Sequence, residues 1–436
     1  MKLLLFLGAG ASVELGIPAM RAMAHELHGH MVNQRLSSTV LERFEKMLSD
    51  ADYDIEHLIE IIDGIVDGAK QRTKLQLSVE DELDKVAPVM RQEAEWYVQH
   101  ACERLREVEA RVLWRAALAR TGEHTIWFAT TNYDRSLEIG SRFNDISIDD
   151  GFEQFNGREV APWRGVRHDR PLQLLKMHGS TDWYQGSDGR TFKLRHPMPL
   201  YGNLAVVDDG SEWPKMTSAL VLPTREKRVT HPPYPELVTS FRNAAAAAEC
   251  AIFVGTSLRD PDILDVCTRC ASRIPTYFVS KDGAPTGSAA NPKLKVVVQK
   301  AARFIASTLP EFLAKSASDS LGEMTASANV EDGSVLDWLV AIQDETRTPK
   351  EICSAIERLS DSSVAVDAAA LRPLLEHEDH TVRRYAVALV DKSLDRAEVM
   401  ELAEERARIE PEGLLAEELT MLKTLIGDRE KPPRAT

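Results

Sequence analysis

Gly8-Ala9-Gly10-Ala11-Ser12 stands directly behind an unbroken apolar run, Leu3-Leu4-Leu5-Phe6-Leu7, and is followed at a short interval by Gly16-Ile17-Pro18. A short apolar run without polar alternation, ended by glycines, predicts a strand buried on both faces, as in a parallel sheet. Glycines there let the backbone turn sharply and come within contact distance of a phosphate. The helix that follows would aim its free N–H groups at that phosphate. The spacing is not the common dinucleotide fingerprint, because Val13 stands where the third glycine belongs. A strand-to-helix turn without a ligand accounts for the first five residues equally well.

Three later segments repeat the arrangement. Thr130-Thr131-Asn132-Tyr133-Asp134 follows Ile126-Trp127-Phe128-Ala129, Lys176-Met177-His178-Gly179-Ser180-Thr181-Asp182-Trp183 follows Leu172–Leu175, and Gly255-Thr256-Ser257-Leu258-Arg259-Asp260-Pro261 follows Ala251-Ile252-Phe253-Val254. Each places small or polar residues at the carboxyl end of a short apolar strand, where ligands bind in open α/β sheets. Singly, each has a plain structural reading as a turn, a strand end or a helix cap.

In this order the four segments resemble the sirtuin superfamily: its glycine loop, Asn-x-Asp, His-Gly and Gly-Thr-Ser segments. His178-Gly179-Ser180-x-Asp182-Trp183 and Leu222-Pro223-Thr224-x-x-Lys227 look like the sirtuin-like NADase branch of bacterial antiphage defence effectors. Deacetylases of the superfamily usually carry Asp-Phe or Thr-Phe before the arginine after the Gly-Ile-Pro corner, whereas Ala19-Met20 precede Arg21 here. They also usually carry two Cys-x-x-Cys pairs. This chain has the single pair Cys267 and Cys270, and two thiolates do not close a structural zinc site, so no zinc is expected. The fold implied is α/β, a Rossmann-like, mostly parallel sheet with a helical insertion and a helical C-terminal region.

Residues 1–315 hold the α/β pattern and are expected to form the NAD-binding catalytic domain. Within it, 33–122 shows no convincing strand and predicts a helical insertion; Tyr97, Ala101, Leu105, Val108, Val112 and Ala116 recur at steps of three and four, as on one amphipathic helix. Residues 316–333, rich in Ser, Ala, Asp, Gly and Asn, read as a linker. The 334–436 region is helical in pattern. Leu371-x-x-Leu374-Leu375, Asp379, Val382-Arg383 and Ala386–Leu389 resemble one HEAT-like unit, with a plain helical cap as the equal alternative.

The net charge of −15 argues against a dominant nucleic-acid surface, and five cysteines without a dense framework suggest a reducing compartment. Lys2 and the apolar run imitate a signal peptide, but the run is too short. No apolar stretch is long enough to span a bilayer, and the expectation is a cytoplasmic protein without membrane contact.

The resemblance implies NAD as substrate. Asn132 and His178 take the catalytic places, Asn132 holding a water and a ribose hydroxyl, His178 accepting a proton. Gly8, Ala9, Gly10, Ser12 and Arg21 would surround the phosphates and the nicotinamide ribose; Asp134 would orient the ribose or the nicotinamide amide; Gly255, Thr256 and Ser257 would close the cofactor site from the opposite side. Asp260, Asp262 and His168 stay outside the catalytic set. Asn132, in a loop, is expected to be replaceable by Ala without harm to the fold.

Three activities fit: an NAD glycohydrolase, a sirtuin-type protein deacylase or ADP-ribosyltransferase, and a non-catalytic subunit that senses NAD or ADP-ribose. The resemblance further implies a homo-oligomer controlled by a partner, with HerA-type ATPases and Argonaute-type proteins known in such pairings.

Overall fold

The computed structural model describes residues 1–33, 37–74, 82–167, 169–195, 207–208, 211–212, 216–221, 232–285, 291, 293–314, 335–344, 347–362, 364, 366–393, 395–409 and 420. The linker expected at 316–333, His168 and the Leu222–Lys227 segment lie outside them. The chain divides into two compact units. The first comprises Met1–Arg106, His124–Glu138 and Ser147–Val296, the second Glu107–Glu123, Ile139–Ile146 and Val297–Thr436.

The strands are β1 (Lys2–Leu7), β2 (Thr125–Thr130), β3 (Val160–Pro162), β4 (Leu172–Lys176), β5 (Trp183–Gly186), β6 (Thr191–Leu194), β7 (Val207–Asp208), β8 (Ser211–Glu212), β9 (Met216–Ser218), β10 (Cys250–Val254), β11 (Thr276–Ser280) and β12 (Lys295–Val298). Six form the main sheet, in the order β12-β11-β10-β1-β2-β4, so β1 lies between β10 and β2. These two pairings, β2 with β4, and β10 with β11 are all parallel. Leu3, Leu4, Leu5 and Phe6 are 0% exposed, as the unbroken apolar run requires. Burying each such side chain contributes roughly 1.5–3 kcal/mol before the entropy of ordering is subtracted.

Register fixes the site. Leu7 lies beside Val254 on one side and Thr130 on the other, and Thr130 lies beside Lys176. The carboxyl ends of β10, β1, β2 and β4 are therefore level, and their four loops emerge along one sheet edge. The chain runs from β1 to β2 on one side and returns as β10 on the other, which makes the β1–β10 crevice a topological switch point.

Four helices, α1 (Met20–Val32), α2 (Ser38–Asp50), α3 (Ile55–Lys74) and α4 (Glu82–Glu103), bury a shared cluster that includes Leu27, Phe44, Ile59 and Val98. Next in the chain come α5 (Glu107–Ala119), α6 (Ser136–Phe143), α7 (Tyr234–Ala247) and α8 (Pro261–Arg273). Phe241 of α7 and Ile263 and Val266 of α8 join Leu4, Phe6 and Phe253 in another cluster of the core. The periodic set from Tyr97 to Ala116 is not one helix. It spans α4 and α5, which break at Arg104–Arg106, and Val108 is 48% exposed. A small antiparallel sheet, β3-β6-β5-β9, takes one strand before β4 and three after it and packs around Tyr184, Phe192 and Met216. The sequence gives little sign of it, because its strands have three or four residues and alternate weakly.

The second unit is helical. After α5 and the short helix Ala301–Arg303 come a π-helical turn, Phe304–Thr308, and helices Leu309–Ala314, Val335–Ala341, Pro349–Asp361, Ala368–Leu375, His380–Val390 and Arg396–Ile409. Leu371, Leu374, Leu375, Val382, Ala386 and Val387 are buried, and Asp379 caps the helix that begins at His380. Arg115 of α5 lies 3.7 Å from Asp367, and Arg120 pairs with Asp395.

Candidate active site

Glycine sets the approach of the first two loops. A Cβ on Gly8 would lie 2.7 Å from Gly255 O and Thr256 Cα, and one on Gly10 would lie 2.9 Å from Gly255 O. Gly255, at φ +62°, would in turn meet Ala11 N at 2.6 Å. The three glycines interlock backbone against backbone, at distances real Cβ atoms do not tolerate.

That packing changes the expected phosphate cradle. No long helix starts behind the glycines. Two 3-10 turns, Ala9–Ala11 and Val13–Leu15, come first, and α1 begins only at Met20. The loop amides are spent locally: Gly8 N donates to Val254 O (2.9 Å), Gly10 N to Gly255 O (2.8 Å), Ala11 N to Gly8 O (2.9 Å) and Ser12 N to Ala9 O (3.1 Å). These amides hold the loop, and the helix N-terminus expected from the sequence is not what the glycines serve. The exposed backbone of Ala9 and Gly10 forms the open rim.

The Asn-x-Asp loop is locked to this one. Asn132 Nδ2 donates to Gly8 O and to Ser12 Oγ, both at 2.9 Å, and Ser12 Oγ donates to Asp134 Oδ2 at 2.6 Å. Asp134 Oδ1 accepts from Ser136 N at 2.9 Å at the start of α6. Asn132 has thus committed both amide hydrogens, and Oδ1 is the acceptor it offers to a ligand. The Asn132 amide thus ties two loops together, so Asn132→Ala removes two loop contacts as well as the acceptor. Asp134 is 5% exposed and acts as a junction of the loops. Beneath it, the buried Lys176 ammonium bonds the Asp134 carbonyl and Glu138 Oε1, the latter at 2.9 Å. A lysine that ends an apolar strand, as Lys176 does, is the sequence signal for this support.

The His-Gly loop joins next. Thr181 N donates to Tyr133 O at 3.1 Å, and the Tyr133 ring lies 6.4 Å from the imidazole of His178, centroid to centroid. Tyr133 is itself buried, and burial pushes its phenol well above the usual range. Its hydroxyl donates to Val221 O at 2.7 Å. Deeper, burial alone would raise Asp182, but Lys193 and Lys176 hold its carboxyl below the usual range. Burial would likewise lower Lys193, yet Asp150 and Asp182 keep its ammonium above its ordinary value.

The circuit closes between strands that are not neighbours. His178 Nε2 lies 3.6 Å from Asp260 Oδ2, so the β4 and β10 loops meet across the ends of β1 and β2. Asp260, left outside the catalytic set on sequence grounds, is an acidic group at the buried histidine. Gly8, Gly10, Ser12, Asn132, Asp134, Gly255, Thr256 and His178 thus belong to one connected set of loops. Ser257 is exposed on its rim. Arg21 is not part of the network: it is exposed and pairs with Asp52 at 3.3 Å. Arg259 reaches Asp54 at 2.9 Å, so the turn between α2 and α3 lies next to the β10 loop.

The model of the family described as "SIR2-like domain" matches residues 127–295, a stretch that contains three of the four loops. This stretch of the chain carries similarity to a SIR2-like domain. Among solved structures, a Sir2 homolog in complex with NAD aligns with 71% of this chain and 88% of its own, at 15% identity and a TM-score of 0.38. A triple mutant of Sir2 homologues in complex with 2'-O-acetyl ADP ribose aligns with 73% and 94%, at 14% identity and a TM-score of 0.36. No curated protein matches. Cys267 and Cys270, the one Cys-x-x-Cys pair, lie on the buried face of α8 within the core of the SIR2-like domain. Among the described residues no group of three or more His, Cys, Asp or Glu is placed to hold a metal ion.

Proposed function

We propose that this chain is a member of the sirtuin superfamily and an NAD glycohydrolase, cleaving NAD to nicotinamide and ADP-ribose, and that it serves as an antiphage defence effector that depletes NAD when triggered. The observation that supports this reading most is the closed circuit of loops. A buried histidine faces a carboxylate, and an asparagine with a fixed amide stands on the same sheet edge, at a switch point.

The chemistry asks little of the protein. As the nicotinamide–ribose bond breaks, positive charge develops on the sugar and nicotinamide leaves as a neutral molecule. No acid is needed for the leaving group. Asn132 Oδ1 holds the attacking water or a ribose hydroxyl, His178 accepts the proton, and water's oxygen forms the new bond to the ribose. The proton then passes to solvent. The NAD site comprises Gly8, Ala9, Gly10, Ser12, Asp134, Gly255, Thr256 and Ser257. Gly8, Gly10 and Gly255 act there through the shape of the rim, and Ser12 and Asp134 through holding Asn132.

The protein works without zinc, in the cytoplasm, as a homo-oligomer to which the helical C-terminal region contributes. A partner of the HerA-type ATPase or Argonaute-type class controls it. The test is incubation of the full chain with NAD, with and without an acyl-lysine peptide, and analysis of the products. Nicotinamide and ADP-ribose from NAD alone support the hydrolase. Release only with peptide transfers the assignment to a deacylase or ADP-ribosyltransferase, and binding without release to a sensor.

A further inference from the structure

We infer that Asp260 is a positioning residue for His178, holding the imidazole by its Nε2 side and stabilising the imidazolium that forms when the ring takes a proton on its other nitrogen. The inference rests on the reading of His178 as the proton acceptor.

The His178 side chain is 8% exposed and that of Asp260 is 19% exposed, so the pair, 3.6 Å apart, is shielded from the solvent that weakens surface ion pairs. The carboxylate is fixed before it meets the histidine. Its Oδ1 accepts from Asp262 N at 3.0 Å as the N-cap of α8, and its Oδ2 lies 3.6 Å from the ring nitrogen. The preceding residue but one, Leu258, is 2% exposed and sits at φ +54°, a conformation costly for a branched side chain. Its amide is held by Thr256 Oγ1 at 3.2 Å. Burial of Leu258 and the cap on α8 thus pin Asp260 from both sides.

From the loop after β2, the Tyr133 ring also faces the imidazole, with its phenol engaged by Val221 O. Tyr133 supplies a wall, and Asp260 supplies charge. A carboxylate beside Nε2 favours the tautomer that carries hydrogen there and raises the proton affinity of the ring. At 3.6 Å the contact is longer than a hydrogen bond, and such contacts tighten when a substrate closes the site. The proton taken from water resides on His178 until it passes to solvent.

Two variants separate positioning from capping. Asp260→Asn keeps an oxygen for the Asp262 amide and removes the charge. Asp260→Ser keeps a good helix cap and cannot reach the ring. The full-length protein with isotope-labelled histidine is titrated by NMR, His178 being assigned by its loss in His178→Gln, and nicotinamide release from NAD is measured in parallel. The expected result is a lower His178 titration midpoint in both variants. With it, kcat falls about 10- to 100-fold, a part of the ~100- to 10,000-fold that a general base supplies. KM for NAD stays within about twofold, because Asp260 acts through His178. An unchanged midpoint in both variants overturns the inference, whatever happens to kcat. If the wild-type protein releases no nicotinamide, the hydrolase reading fails by itself, and the titration midpoint alone then decides whether Asp260 governs His178.

Discussion

At the scale of single residues, Gly8 and Gly64 make a useful contrast. Gly8 has backbone atoms at 2.7 Å from where a Cβ would stand, whereas Gly64, inside α3, has nothing within 4 Å. Gly8→Ala is expected to destabilise by about 1–3 kcal/mol, as overpacking does. Gly64→Ala should stabilise by roughly 0.4–1 kcal/mol, because alanine loses less freedom in a helix. Urea unfolding of both variants checks the pair; equal effects would deny the interlock of Gly8 with Gly255. The thiols make a second residue-scale prediction. Burial pushes Cys250 and Cys267 up to about 12 and Cys270 up to about 11. In the native protein at pH 8 these three should therefore resist alkylation, and all should react once it is unfolded. Mass spectrometry of protein briefly exposed to iodoacetamide, with and without urea, reads the difference. Rapid native labelling of Cys267 would place it outside the core.

At the scale of elements, the loops that build the site are held by their own secondary structure, and the caps are testable. Thr348 and Glu351 form a reciprocal capping box at the start of the helix Pro349–Asp361. Thr348→Ala should cost about 1 kcal/mol and leave nicotinamide release unchanged. A calorimetric scan and an NAD assay on the same sample test both halves. The ions beneath the His-Gly loop behave differently. Asp182 is 2% exposed and lies 3.6 Å from Lys193, which also pairs with Asp150. Its carboxyl titrates below its unfolded value, so it contributes stability that is complete above about pH 4 and is lost as pH falls through the lowered folded value. Asp182→Asn should cost about 3–5 kcal/mol at neutral pH, by leaving buried positive charge less compensated, and should flatten the loss of stability below pH 4. Melting curves between pH 3 and pH 7 would show it. Parallel curves for variant and wild type would mean that Asp182 carries no charge in the fold.

At the scale of the molecule, legibility in the sequence follows from burial and range. The runs that became β1, β2, β4 and β10 are apolar because both faces of the sheet are covered, so each stood out and marked the loop behind it. The order of strands and the level ends of the loops are consequences of pairing, which no single run records. The break between α4 and α5 falls at Arg104-Leu105-Arg106, without glycine or proline, and a helical period runs through it unmarked. The packing role of Gly8 and Gly10 is not legible in the sequence, because a backbone neighbour far along the chain, Gly255, leaves no local trace. For the same reason nothing local to Asp260 marks its place at the site: its contact with His178 is made across two intervening strands.

The central claim is that the loops at this sheet edge hydrolyse NAD through His178 and Asn132. Its most direct measurement is nicotinamide release from NAD under activating conditions by the wild type, His178→Ala and Asn132→Ala, each shown by its melting curve to be folded. Loss of the general base should lower turnover by ~100- to 10,000-fold in His178→Ala. Asn132→Ala should fall comparably while melting lower, since it also loses the bonds to Gly8 and Ser12. Both variants should retain NAD binding better than turnover. Nicotinamide release by the folded variants at the wild-type rate would contradict the account.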